Sequence, residues 1–148
     1  DANLYIIGSG NDHNNLNNLI KKLKLSDRVF LVGNKPQKWI KNNLFSFDLF
    51  VQASLHEGLG IAAIESSAAS VPMLLSNVDG HLEISEKGKF CELFNPHIVG
   101  DLSNKILNFY QNPSTSFKSS ILNRKLFKNK FDSESFNNEI IKLYKSLI

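Results

Sequence analysis

Glu57 and Glu65 stand eight positions apart, and the segment between them, Gly58-Leu59-Gly60-Ile61-Ala62-Ala63-Ile64, carries two glycines and then helix-compatible apolar residues. It reads as a loop entering a helix. The first amides of a helix have no intrahelical partner, and the helix dipole favours negative charge at that end. Glycine lets backbone approach an anion closely, so Gly58, Leu59, Gly60 and Ile61 form a candidate cradle for a phosphate. A rise of roughly 1.5 Å per residue puts Glu65 about 7–9 Å along the axis from that cradle. Two acids so spaced bracket a phosphate instead of facing each other as an acid–base pair. Carboxylates accept hydrogen bonds and sugar hydroxyls donate them. The expected ligand is therefore a phosphate flanked by hydroxyl-bearing rings, which describes a sugar nucleotide. Each residue also has a plainer reading. An acid beside a helix start is favourable without any ligand, Glu65 can be a solvent-facing helical acid, and His56 can be a loop or packing residue as well as a general base.

The elements that must hold this loop can be read from periodicity. Leu49-Phe50-Val51 is a strand introduced by Asp48, and the helix after the loop runs from Ile61 to about Ala69. Leu4-Tyr5-Ile6-Ile7 reads as a buried strand closed by the tight turn Gly8-Ser9-Gly10. Leu16, Leu19, Ile20 and Leu23 recur at helical spacing, with Asn11 or Asp12 as cap. Val29-Phe30-Leu31-Val32 is a strand ended by Gly33, and Trp39, Ile40, Leu44 and Phe45 mark a short helix after Pro36. Pro72-Met73-Leu74-Leu75 and Phe90-Cys91-Glu92-Leu93-Phe94 are two further strands. Three amphipathic helices follow, marked by Leu102, Ile106 and Phe109, by Phe117, Ile121 and the run to Phe131, and by Phe136, Ile140, Leu143 and Leu147.

Strands alternating with helices over short connections predict an α/β fold: one Rossmann-like parallel sheet with helices on both faces and a helical C-terminal tail. In such sheets, ligands lie beyond the carboxyl ends of the strands. That rule selects the loops at residues 8–12, 33–37 and 52–60. Gly8-Ser9-Gly10 begins like a dinucleotide fingerprint, but His13 stands where a third glycine belongs. A tight turn accounts for the pair of glycines, and an NAD site is not supported.

Composition narrows the function classes. The chain has 148 residues, 42% of them hydrophobic, enough for a single domain with a core of its own. Seventeen Lys and Arg against fourteen Asp and Glu leave a net charge of +3, without the concentrated basic stripe of a nucleic-acid reader. No apolar run reaches the roughly 18 residues of a membrane span. Cys91 is the single cysteine, so no internal disulfide can form, and a reducing compartment is favoured. One Cys and four scattered His leave no cluster with metal-ligand spacing. The first residue is Asp1 and an apolar run starts at Leu4, which reads as a domain cut from a longer chain.

Glu57 to Glu65 has the E-x7-E form, and the chain resembles the retaining GT-B glycosyltransferases of the family 4, or group 1, type. The resemblance extends to Ala69-Ser70-Val71-Pro72, where the family often has Cys-Gly-x-Pro, and to Ser76-Asn77-Val78-Asp79-Gly80 with Glu83 ahead of the next helix. Upstream, Ile7-Gly8-Ser9-Gly10, the stretch from Arg28 to Gly33, and Phe47-Asp48-Leu49-Phe50-Val51 fall in the expected order. It implies that residues 1–148 are the donor-binding domain of a two-domain enzyme whose acceptor-binding domain is not in this chain. It also implies that Glu57 is the catalytic contact to donor-sugar hydroxyls, that His56 borders the donor, and that Gly58, Leu59, Gly60 and Ile61 offer amides to the diphosphate. Glu65 would bind the ribose hydroxyls, Gly33, Asn34 and Lys35 would lie near the base, and Gly8 and Gly10 would border the cleft. The implied reaction moves a sugar with retention from a UDP- or GDP-sugar to a glycan or lipid acceptor, with no metal or other cofactor, in the cytoplasm or at the inner face of the cell membrane. The family's Arg and Lys for the diphosphate would fall ahead of Leu4; Ser70 departs from the common Gly and His81 stands where Pro is frequent, which implies a different shape for the loop beside the donor sugar. A non-catalytic Rossmann-like binding module and a sugar-nucleotide epimerase are the alternatives on the same architecture.

Overall fold

The computed structural model describes residues 2–112, 120, 124, 131 and 133–146. Strands and helices alternate as the periodicity predicts. They are β1 (Leu4–Ile7), α1 (His13–Lys22), β2 (Val29–Gly33), α2 (Gln37–Asn43), a 3-10 turn (Leu44–Ser46) and β3 (Phe50–Gln52). There follow α3 (Ile61–Ala68), β4 (Met73–Ser76), α4 (Asp79–Ile84), β5 (Glu92–Phe94), α5 (Asp101–Gln111) and α6 (Ser133–Ser146). Every strand pair is parallel, as the α/β reading requires. Among the described residues the strands form two ladders instead of the single expected sheet: β1 with β2, and β3-β4-β5 with β4 in the middle. They belong to two compact units, residues 1–42 and 43–148.

In the first unit, α1 packs chiefly on β2. The sequence predicts a buried strand at β1, yet Leu4 is 50% and Tyr5 44% exposed. The physical reason is that β1 is one half of a two-stranded ladder, with little over its first two residues. Tyr5 instead stacks on its register partner Phe30, ring centroids 5.0 Å apart, a cross-strand aromatic pair. Asp12 does not cap α1 through its side chain; its carboxylate accepts a hydrogen bond from the Asn15 amide at 3.0 Å.

The second unit holds the larger core. β4 is flanked on both edges, so all four of its residues are buried and it reads as an unbroken apolar run up to Ser76. Met73 and Leu75 pack with Ala63 of α3 and Ile84 of α4, joined at the periphery by Phe50, Ile64, Cys91, Leu93 and Phe131. Eight residues are too few for a helix to stand alone in water. α3 is held by its contacts with β3 and β4, and its buried positions are the small residues Ala63, Ser66 and Ser67. The six-residue α4 itself contains Asp79, Gly80 and Glu83, which the resemblance puts ahead of the next helix. In α6, Ile140, Ile141, Leu143 and Tyr144 are all exposed. Phe117, Ile121 and Leu147, expected on C-terminal helices, lie outside the described residues. No helix among the described residues is long and apolar enough to cross a membrane.

Cys91 sits against this core, and burial pushes its thiol up to about 12, with neighbouring Glu92 adding to the effect and a hydrogen bond with Ser85 opposing it. The thiolate is the nucleophile. Native protein at pH 8 should therefore react with iodoacetamide at least about tenfold more slowly than denatured protein, followed by mass spectrometry. Because the folded state keeps its thiol proton after the unfolded state has lost it, stability should fall as pH rises from about 9 toward 12. Equal alkylation rates in the two states would refute the burial argument.

Candidate functional site

The loop after β3 is organised around the Glu57 carboxylate. Gln52, the last residue of β3, donates its side-chain amide to Glu57 Oε2 at 2.6 Å, and the Ser54 hydroxyl donates to the same oxygen at 3.2 Å. Glu57 Oε1 accepts the backbone N–H of Gly60 at 3.2 Å. The acid thus satisfies an amide at the helix entrance, the favourable arrangement possible without any ligand. It is not sealed away: the side chain remains 23% exposed. One expectation needs correction here. The Gly60 amide is taken by Glu57, so it is not offered outward as the sequence reading has it.

Gly60 itself is the N-cap of α3 with φ +65°, a left-handed conformation that a Cβ would strain. A Cβ there would also stand 2.8 Å from Ile84 Cδ1 and 3.3 Å from His81 Cδ2. Gly58 is exposed with open space around it. The N–H groups of Gly58, Leu59, Ile61 and Ala62 make no hydrogen bond among the described residues, so the helix entrance keeps free donors. Leu59 and Ile61 are exposed, at 47% and 65%. Glu65 is half-buried on α3 and has an interaction partner of its own.

Leu55, His56, Glu57, Val78 and Asp79 line a cavity of about 250 Å³ at the carboxyl ends of β3 and β4. Val78 and Asp79, the N-cap and first residue of α4, come from the segment after β4, which the sequence reading did not select, although the rule about strand carboxyl ends applies to it equally. The two loops are fastened at several points. The Ser76 hydroxyl donates to the Ser54 carbonyl at 2.6 Å, and the backbone at Gly80 lies so close to the Glu57 and Gly58 carbonyl oxygens that a Cβ would collide with them. Sequence reasoning selected the loop that carries Gln52 and Ser54 but gave no role to either, nor to Ser76 or Asp79, and it placed His81 near the site only as a departure from the family's Pro. No group of three or more His, Cys, Asp or Glu side chains that could hold a metal occurs among the described residues.

In the first unit, Gly8 and Gly33 meet directly. They form an isolated bridge, with the Gly8 amide donating to the Gly33 carbonyl at 3.0 Å, and both have positive φ, +131° and +70°. The turns after β1 and β2 are therefore neighbours, as their shared place at strand carboxyl ends predicts. Gly10 and Asn34 are exposed, and the Lys35 ammonium lies over the Trp39 ring, 5.6 Å from its centroid.

Comparison with known proteins agrees with this arrangement. The chain is 28% identical over 144 residues to the O-antigen biosynthesis glycosyltransferase WclY of Escherichia coli, a match covering 86% of this chain and 39% of that protein. It is 31% identical over 150 residues to an uncharacterised glycosyltransferase of Methanocaldococcus jannaschii, covering 99% of this chain and 41% of that one. Among solved structures, Anabaena HepE in complex with UDP matches with a TM-score of 0.88 at 20% identity, over 98% of this chain and 41% of that one. The chain thus spans about two fifths of the length of these relatives, and the structural likeness establishes the α/β fold. The glycosyl transferases group 1 family matches residues 1–129, and this chain belongs to that family.

Proposed function

We propose that this chain is the donor-binding part of a retaining glycosyltransferase of the family 4 type, taking a UDP- or GDP-sugar and passing the sugar to a glycan or lipid acceptor. The observation that carries this reading is the oriented Glu57 carboxylate, lining a cavity at strand carboxyl ends beside the free amides of a helix entrance. Anabaena HepE, a structural neighbour, has been solved with UDP and with UDP-glucose. In the proposed reaction the bond from the anomeric carbon to the diphosphate breaks as the acceptor oxygen bonds to that carbon on the same face of the sugar, and the acceptor's hydroxyl proton passes to the departing diphosphate. Amides of Gly58, Leu59 and Ile61 stabilise the charge that develops on the departing diphosphate, and Glu57 accepts hydrogen bonds from donor-sugar hydroxyls. Glu65 takes the ribose hydroxyls. His56 borders the donor, and Gly8, Gly10, Gly33, Asn34 and Lys35 are assigned nucleotide contacts on the resemblance alone. The reading includes no resident cofactor and a setting in the cytoplasm or at the inner face of the cell membrane, in cell-envelope glycan assembly.

A titration followed by NMR with UDP, GDP and ADP tests the reading. Shifts confined to the assigned residues for one nucleotide support it and name the base. Binding should be weakened about tenfold or more by Glu65→Ala, which removes hydrogen bonds to a charged group worth roughly 1.5–3 kcal/mol. Thermal stability of that variant should stay near the parent's. An unchanged affinity would take Glu65 out of the site.

A further inference from the structure

Among the described residues the Glu57 carboxylate has three hydrogen-bond donors, and they are shared unequally between its oxygens. Glu57 Oε2 accepts from the Gln52 side-chain amide at 2.6 Å and from the Ser54 hydroxyl at 3.2 Å, while Glu57 Oε1 accepts the Gly60 amide at 3.2 Å. His81 Nε2 stands 4.0 Å from Oε2, beyond hydrogen-bond reach. Each carboxylate oxygen offers about two acceptor positions. Glu57 Oε2 is therefore filled from within the protein, and Glu57 Oε1 is the oxygen with capacity left for a ligand hydroxyl.

Of the three donors, Gln52 makes the shortest contact and stands on the firmest base. It is the last residue of β3, in parallel register with Leu75 of the central strand β4. Ser54 belongs to the loop that has to be positioned, and Gly60 to the helix entrance. Groups carried on strands are placed more closely than groups carried on loops. A carboxylate oxygen accepts, so the bond also fixes the amide's orientation, with Gln52 Nε2 facing Glu57 and Gln52 Oε1 turned away. There Gln52 Oε1 is buried and has no hydrogen-bond partner among the described residues. Burying an amide oxygen unpaired works against stability. Phe50 and Val51, the residues before it on β3, are apolar, and an apolar side chain at position 52 would leave no such atom. Stability alone does not account for an amide here.

We propose that Gln52 is the positioning residue of Glu57: with Ser54 it fills Glu57 Oε2, so that Glu57 Oε1 receives the donor sugar, and the chain keeps it at a cost in stability. The proposal rests on the proposed role of Glu57 at the donor sugar. Gln52 touches no substrate itself, since its free oxygen is buried; it acts through the acid. It accounts at once for the short contact, for the unpaired oxygen beside it and for a polar residue at the end of an apolar strand.

Gln52→Met separates positioning from a structural role, because methionine has nearly the same length and removes the donor and the unpaired acceptor together. Glu57 keeps Ser54 and Gly60, and its 23% exposure lets water take the vacant place. The urea midpoint should hold or rise. Calorimetry on the whole enzyme then compares UDP with UDP-glucose and UDP-N-acetylglucosamine, and GDP with GDP-mannose. Gln52→Met should leave nucleotide affinity within about twofold and lose about fivefold or more of the extra affinity that the sugar contributes. Glu57→Gln should lose that contribution too, and adding Gln52→Met to it should cost nothing further, because Gln52 acts through the acid. A sugar contribution that survives Gln52→Met but not Glu57→Gln overturns the proposal alone, as does a fall in the urea midpoint or a double variant whose losses add. If Glu57→Gln also spares the sugar contribution, or if the parent gains no affinity from any of the sugars, the role of Glu57 fails and the proposal falls with it.

Discussion

Glu57→Gln is expected to lower turnover of the whole enzyme by about 100-fold or more while changing UDP affinity by less than about threefold. The substitution is close to isosteric, and the loop has a way to accommodate it. Glu57 now accepts from Gln52, Ser54 and Gly60. A glutamine can keep its carbonyl on the Gly60 amide and turn its NH2 toward Gln52. Rotating the Gln52 amide would then bring up its Oε1, which has no partner in the parent, and the Ser54 hydroxyl can accept as well as donate. What is lost is the charge that receives sugar hydroxyls, an interaction that strengthens only as the sugar departs. Glu57→Ala would instead strip three donors of their acceptor at a cost of about 1–3 kcal/mol for each buried one, confusing stability with catalysis. Steady-state kinetics with the acceptor, beside UDP binding by calorimetry, makes the check. Equal losses in turnover and UDP affinity would reduce Glu57 to an organiser of the loop.

The second large effect is on stability. Gly80→Ala should destabilise the protein by about 3 kcal/mol in urea unfolding, although Ala normally favours a helix over Gly by roughly 1 kcal/mol. The new Cβ would collide with the carbonyl oxygens of Glu57 and Gly58, which are backbone atoms of a loop pinned by Ser76 and by the Glu57 carboxylate. Backbone cannot give way as the tip of a flexible side chain can, so overpacking prevails over propensity. Gly58→Ala is the control: a Cβ there meets nothing within 4 Å and its φ is not positive, so the change should stay within about 0.5 kcal/mol. Two variants of similar stability would mean that the loops after β3 and β4 are not packed together in solution.

Most of the architecture could be read along the chain, because hydrophobic spacing reports local structure. The Met73-Leu74-Leu75 run marks a strand covered on both sides, and it is the central strand of its ladder. Ile61, Ala63 and Ile64 following two glycines mark a helix after a loop, and α3 begins at Ile61. The eight-residue separation of Glu57 and Glu65, with the segments in order on either side, was sufficient to indicate the family. Pairing was not available in the same way. Period-two alternation says which side chains share a face, but not which backbone edges meet, so one sheet was expected where the strands form two ladders. Burial at β1 failed for a related reason: an apolar run shows what a strand could bury, while cover over Leu4 and Tyr5 depends on neighbours elsewhere in the chain.

The sequence by itself determined the alternation of elements, the loop that carries the acids, and the family. Only the tertiary structure decided what the acids touch. Ser54 and Ser76 are 22 residues apart, and Gly80 meets Gly58 across the same separation; such contacts arise when the chain closes on itself and leave no periodic trace. The capture of the Gly60 amide by Glu57, the bare backbone required at Gly80 and the buried ring of His81 all follow from that closure. Hydrogen-bond partners are set by distances of about 3 Å, and residue spacing along a chain does not specify position on that scale.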